Sequence, residues 1–103
     1  MSVLLEFSMF PTDKGKSVSN EVSRVIEMIR ERGVPYKLTA MGTIIETQSM
    51  QEALNIVQKA YDLLSEDSTR IYSSLKFDAR SDKDNRLSGK IQSVEDKIGG
   101  VSK

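Results

Sequence analysis

An α+β two-layer sandwich is the fold class this sequence predicts, and three observations predict it. Two well-separated segments alternate apolar and polar residues with the period of a β-strand. Two longer stretches carry apolar residues at helical spacing. Between those stretches lies Val34 to Glu46, V-P-Y-K-L-T-A-M-G-T-I-I-E, which reads as a tight hairpin. The order is therefore strand, helix, strand, strand, helix, strand.

Each element follows from local chemistry. Val3, Leu5, Phe7 and Met9 alternate with Leu4, Glu6, Ser8 and Phe10, which gives a first strand ended by Pro11. Thr12 to Lys16 is a polar loop. Ser17 or Ser19 starts a helix, with Glu21 in its first turn where the helix dipole favours negative charge. Its apolar stripe is Val18, Val22, Val25, Ile26 and Ile29, and Gly33 with Pro35 stops it. In the hairpin, Tyr36, Leu38 and Ala40 alternate, Met41 and Gly42 turn, and Ile44 and Ile45 resume an apolar run. Ser49 to Glu52 reads as a capping box, followed by a stripe of Ala53, Leu54, Val57, Tyr61 and Leu64. Polar residues 65–69 end that helix. Ile71, Ser73, Leu75 and Phe77 then alternate with Tyr72, Ser74, Lys76 and Asp78 as a fourth strand.

Residues 79–90 are charged and turn-rich and predict a mobile loop. Ile91, Val94 and Ile98 return at helical spacing, with Ser93 as cap and Gly99-Gly100 as stop, predicting a short helix over 91–99. So short a helix cannot hold itself together in water and must dock on its own sheet or on another copy.

Four strands and two helices in βαββαβ order pack most simply as a ferredoxin-like sandwich, with both helices on one face of an antiparallel sheet of order 4-1-3-2. Val3, Leu5, Phe7, Met9, Leu75 and Phe77 are expected to meet the helices. Leu4, Glu6, Ser8, Phe10, Ile44, Glu46, Tyr72, Ser74, Lys76 and Asp78 are expected on the bare face. That face mixes large apolar groups with charges. A solvated sheet face is one reading. The favoured one is an interface of a homo-dimer or tetramer enclosing a Glu6–Lys76 pair, with the C-terminal helix docking across the dimer.

Composition narrows the function. The 103 residues make one domain, 1–103. Fifteen Lys plus Arg balance fifteen Asp plus Glu, so nucleic acid is a poor partner and self-association meets little repulsion. With no Cys and no His, disulfides, thiol nucleophiles, histidine bases and Cys/His zinc sites are excluded. No apolar run approaches a membrane span of about 20 residues. The first residues lack the basic start of a signal peptide, so a cytoplasmic location is expected. Strand three carries no aromatic residue for stacking RNA bases, and no residue constellation points to catalysis. A non-enzymatic binding protein is expected.

The ordered segments Glu6-Phe7-Ser8-Met9-Phe10-Pro11, Ser17 to Val22, Pro35 to Glu46, Lys76-Phe77-Asp78, Gly89-Lys90 and Val94-Glu95 with Lys97 resemble the thiamine-binding-protein family that includes the YkoF-like proteins. The resemblance spans nearly the whole chain. It implies a ferredoxin-like subunit, a dimer or tetramer, and thiamine or its hydroxymethyl-pyrimidine moiety as ligand; no cofactor is implied beyond that ligand. YkoF itself looks like a tandem of two such domains, whereas this chain has one.

An aminopyrimidine needs a flat apolar slot with a few polar groups at its edge. Met9, Tyr36 and Met41 suit the slot. Ser8, Ser17, Ser19, Thr39 and Thr43 offer hydroxyls, and Gly42 allows close backbone approach. Glu46 or Glu6 suits the exocyclic amine, and Tyr36 offers the cationic thiazolium a contact of ~0.5–2 kcal/mol. Each has a plainer role: Ser17 and Ser19 as helix caps, Met9 and Met41 as core filler, Glu46 with Lys76 as an interface pair. Lys14-Gly15-Lys16-Ser17 suits a phosphate at a helix start, or is an ordinary basic loop. The competing function is an oligomeric regulatory or scaffold module that binds another metabolite or a protein.

Overall fold

The alternation over the first ten residues folds as β1 (Ser2–Pro11), the strand on which the molecule is built. The computed structural model describes residues 1–103 and continues with α1 (Ser19–Arg32), β2 (Tyr36–Leu38), β3 (Thr43–Thr47), α2 (Met50–Ser65), β4 (Ile71–Arg80) and α3 (Arg86–Ile98). The strands form one antiparallel sheet in the order β2-β3-β1-β4, the expected 4-1-3-2 read from the other edge.

Register confirms the two faces. Leu5 stands opposite Ile45 and Phe77, and Phe7 opposite Thr43 and Leu75, so these share the face under α1 and α2. The core joins Val3, Leu5, Phe7 and Met9 to Ile45, to Val25, Ile26, Met28 and Ile29 of α1, and to Ala53, Ile56, Ala60 and Leu64 of α2. On the reverse face Glu6 lies opposite Ile44 and Lys76, and Phe10 opposite Tyr72, with ring centroids 5.8 Å apart.

Four expectations are corrected. Ser19 does begin α1, but neither serine caps it: the residue preceding the helix is Val18, with no side-chain cap, and the Ser17 and Ser19 hydroxyls lie 3.3 Å from each other. Ser49 does cap α2, accepting the Glu52 N–H at 3.1 Å, but the buried stripe of α2 is turned about its axis. Ala53, Ile56, Ala60 and Leu64 face the sheet, while Leu54 and Tyr61 are exposed. Small residues at 53 and 60 bring the helix close to the strands, which a stripe chosen for bulk misses.

The third correction concerns residues 79–90. β4 runs on to Arg80, and α3 begins at Arg86, well before position 91. Arg86 is 3% exposed. Its Nη1 donates to the carbonyls of Ser2 and Asp78, and Nη2 pairs with the Asp78 carboxylate. The Glu46 carboxylate accepts the Arg86 and Leu87 N–H groups at 2.8 and 3.1 Å, so a distant strand supplies the cap that local sequence lacks.

The fourth correction follows from the third. The first turn of α3 docks on its own sheet, on the face opposite α1 and α2, so helices lie on both sides at one end. Beyond that turn, Val94 and Ile98 are exposed. No helix is long and apolar enough to cross a membrane.

Candidate ligand-binding groove

Unequal strand lengths create the groove. β4 pairs with β1 along its full length, Ser2 to Pro11, whereas β3 pairs only from Val3 to Phe7. On the β3 side the main chain of Ser8 to Phe10 therefore has no strand partner. The hairpin tip, residues 39–42, lies alongside that free edge. Thr39 shapes the tip: its N–H and hydroxyl donate to the Gly42 carbonyl at 2.9 and 2.7 Å, and Thr39 Oγ1 accepts the Met41 and Gly42 N–H groups at 3.2 and 3.1 Å.

Between this tip, the free edge of β1 and the first two turns of α1 is a groove of about 180 Å³. Phe7, Met9, Val22, Val25, Ile26 and Leu38 form its apolar walls. Its lining holds no charged side chain; Ser8, Thr39 and Thr43 are its hydroxyl-bearing residues. Met41, 87% exposed, stands at the mouth. An apolar slot whose polar groups are confined to a strand edge and a few hydroxyls suits a small planar molecule with donors and acceptors on its rim.

Of the residues singled out from sequence, the fold brings together Ser8, Met9, Thr39, Met41, Gly42 and Thr43. It does not bring in the others. Tyr36 pairs with Ile45 and packs against the core, and its hydroxyl accepts a 3.4 Å hydrogen bond from Arg30 Nε. Ser17 and Ser19 are exposed at the start of α1, where Val18 rather than either serine reaches the groove. Lys14, Gly15 and Lys16 are exposed in the preceding loop. Val18, Val22 and Leu38 were missed as slot walls. Their apolar character was visible, but which end of the helical stripe leaves the core is decided by the length of β3.

Glu46 lies at the opposite end of β3 and serves α3. Burial pushes its carboxyl up, but hydrogen bonds from the Ser2 hydroxyl and the Arg86 and Leu87 N–H groups, with the Arg86 charge, outweigh burial and hold it below the ordinary range. Asp78 is held low by its hydrogen bonds to Lys90 and Arg86. This network locks a helix in place and contributes nothing to the groove lining. No three His, Cys, Asp or Glu side chains converge to hold a metal ion.

Known proteins share this fold. The UPF0045 protein MJ1052 of Methanocaldococcus jannaschii is 35% identical over 92 residues, covering 89% of this chain and 91% of the relative. Its crystal structure superposes with a TM-score of 0.81, covering 90% of this chain and 95% of that one. A UPF0045 protein of Mycobacterium bovis, Mb1933, is 32% identical over 95 residues, covering 92% of this chain and 93% of the relative. A domain of unknown function, DUF77, from Bacillus cereus has a TM-score of 0.78 at 26% identity, covering 94% and 93% of the two chains. The family model described as thiamine-binding protein matches residues 5–95. Sequence, fold and nearly full-length coverage agree, and the chain belongs to the thiamine-binding protein family.

Proposed function

We propose that this protein binds thiamine or its hydroxymethyl-pyrimidine moiety in the groove, as a binding protein rather than a catalyst. The supporting observation is the pairing of an uncharged apolar slot with the unpartnered main-chain edge at Ser8 to Phe10. A strand edge presents alternating N–H and C=O groups, the complement of an aminopyrimidine rim. Stacking falls to Phe7, Met9 and Met41, and hydrogen bonding to Ser8, Thr43 and the strand edge. Calorimetry with thiamine and hydroxymethyl-pyrimidine tests this. Val22→Phe, which fills the slot, is expected to weaken both ligands at least about tenfold, or 1.4 kcal/mol. Wild-type affinity in that variant, or no binding by the wild type, would refute the reading.

The protein acts in this reading as a homo-oligomer. Tyr72 on the reverse face and Val94 and Ile98 on α3 are exposed apolar groups, and the helix carrying two of them is anchored mainly at its first turn. A second copy covering both would explain why an amphipathic helix persists there. Light scattering at micromolar concentration should give a multiple of the 11.5 kDa chain mass, and Tyr72→Lys with Ile98→Lys should return it to monomer. A monomeric wild type would exclude the assembly.

A further inference from the structure

The groove has a neighbour at the hairpin tip. Phe7, Ser8 and Met41 also line a second hollow of about 110 Å³, shared with Glu6, Ser74 and Lys76 on the reverse face of the sheet. The two hollows share Phe7, Ser8 and Met41, where β3 stops opposite Phe7 and leaves β1 unpaired on that side. Each alone is smaller than the roughly 300–1,000 Å³ of an ordinary ligand site, and a ligand reaching from one into the other would occupy a space near its lower limit.

Their chemistry differs. The first lining has no charge, whereas the second holds Glu6 and Lys76, opposite each other on β1 and β4 with Nζ 3.3 Å from Oε1. The two side chains are 46% and 79% exposed. An exposed pair of this kind adds little to stability, so its cation can be exchanged at small cost. The Glu6 stem is also held beside the groove: a Cβ built on Gly42 would stand 3.9 Å from Glu6 Cγ.

We propose that Glu6 is the specificity-determining residue for ligand charge. It receives the positive end of a molecule whose aromatic head occupies the apolar slot, and Lys76 is the resident counter-ion displaced on binding. The ligand class is a planar heterocycle joined by a short bridge to a group of fixed positive charge. This rests on the reading that the slot takes an aminopyrimidine. A second copy over the reverse face would lower the local dielectric and strengthen the preference without changing its sign.

The test compares thiamine with neutral hydroxymethyl-pyrimidine by calorimetry at neutral pH, using the full chain as wild type, Glu6→Gln and Lys76→Met, with thermal melts and light scattering to confirm fold and assembly. Glu6→Gln is expected to weaken thiamine about tenfold while the pyrimidine stays within about twofold. Lys76→Met is expected to strengthen thiamine about threefold by removing the competing cation. Raising salt from about 0.05 M to about 0.5 M should weaken thiamine selectively in the wild type, a readout that needs no mutation. If Glu6→Gln shifts both ligands equally, or leaves thiamine unchanged, the charge-selecting role is wrong while the proposed ligand site survives. If the wild type binds neither ligand, both readings fall together.

Discussion

Gly42 lies against the backbone of Phe7, so that a Cβ at position 42 would stand 3.0 Å from the Phe7 carbonyl oxygen. The contact is with main chain, which cannot rotate away, and Gly42 has no positive φ, so the requirement for glycine here is steric. It sets the width of the groove by fixing how near the hairpin tip comes to β1.

Gly42→Ala is therefore expected to lift the tip from β1. The fold should survive with a loss of about 1–3 kcal/mol, the usual cost of overpacking. Thiamine binding should weaken more than the melting temperature suggests. Calorimetry beside denaturant unfolding separates the two effects, and unchanged affinity would show that the tip does not define the site.

Glu46→Gln should release α3. The amide keeps the size of the carboxylate but loses its charge and cannot accept equivalently from Ser2, Arg86 and Leu87. It also leaves the buried Arg86 guanidinium with fewer compensating charges, and breaking such a buried arrangement costs about 3–5 kcal/mol at its upper end. Hydrogen exchange should rise sharply over 86–98 and little in β1. Equal protection in both proteins would contradict the locking role.

Acid should reproduce that release. Glu46 and Asp78 both have carboxyl groups held below their ordinary values in the folded chain. Their contribution is therefore complete above the unfolded carboxylate range near pH 4 and is lost as pH falls through the depressed folded values. Protection of the α3 amides, taken relative to their intrinsic exchange rate at each pH, should be flat from neutrality to about pH 5 and fall below that range, before the core opens. Loosening of α3 on raising pH instead would reverse the sign and refute the linkage.

Tyr36→Ala should act on stability, because Tyr36 packs against the core and sits on the inner face opposite Ile45. For a half-buried aromatic, a loss of about 1–3 kcal/mol is expected, with the affinity of remaining folded protein for thiamine within about threefold of wild type. A stable variant that fails to bind would return Tyr36 to the ligand site.

The fold itself was legible in the chain. Period-2 alternation over Val3 to Phe10 and Ile71 to Asp78, with the helical stripe of Val22 to Ile29, determines which side chains turn inward, because a strand or helix has one repeat and one buried face. The hairpin and its four groove-lining candidates, Thr39, Met41, Gly42 and Thr43, were legible for the same reason, as a turn written in local residues. Tertiary structure decided what depends on distant ends meeting. Glu46 became the cap of a helix some forty residues later, Tyr36 turned into the core, and β1 outran β3 to leave an open edge at Ser8 to Phe10. Local periodicity sets the direction of a side chain, but where neighbouring strands stop, and so where a cavity opens, is set by the packing of the whole sheet.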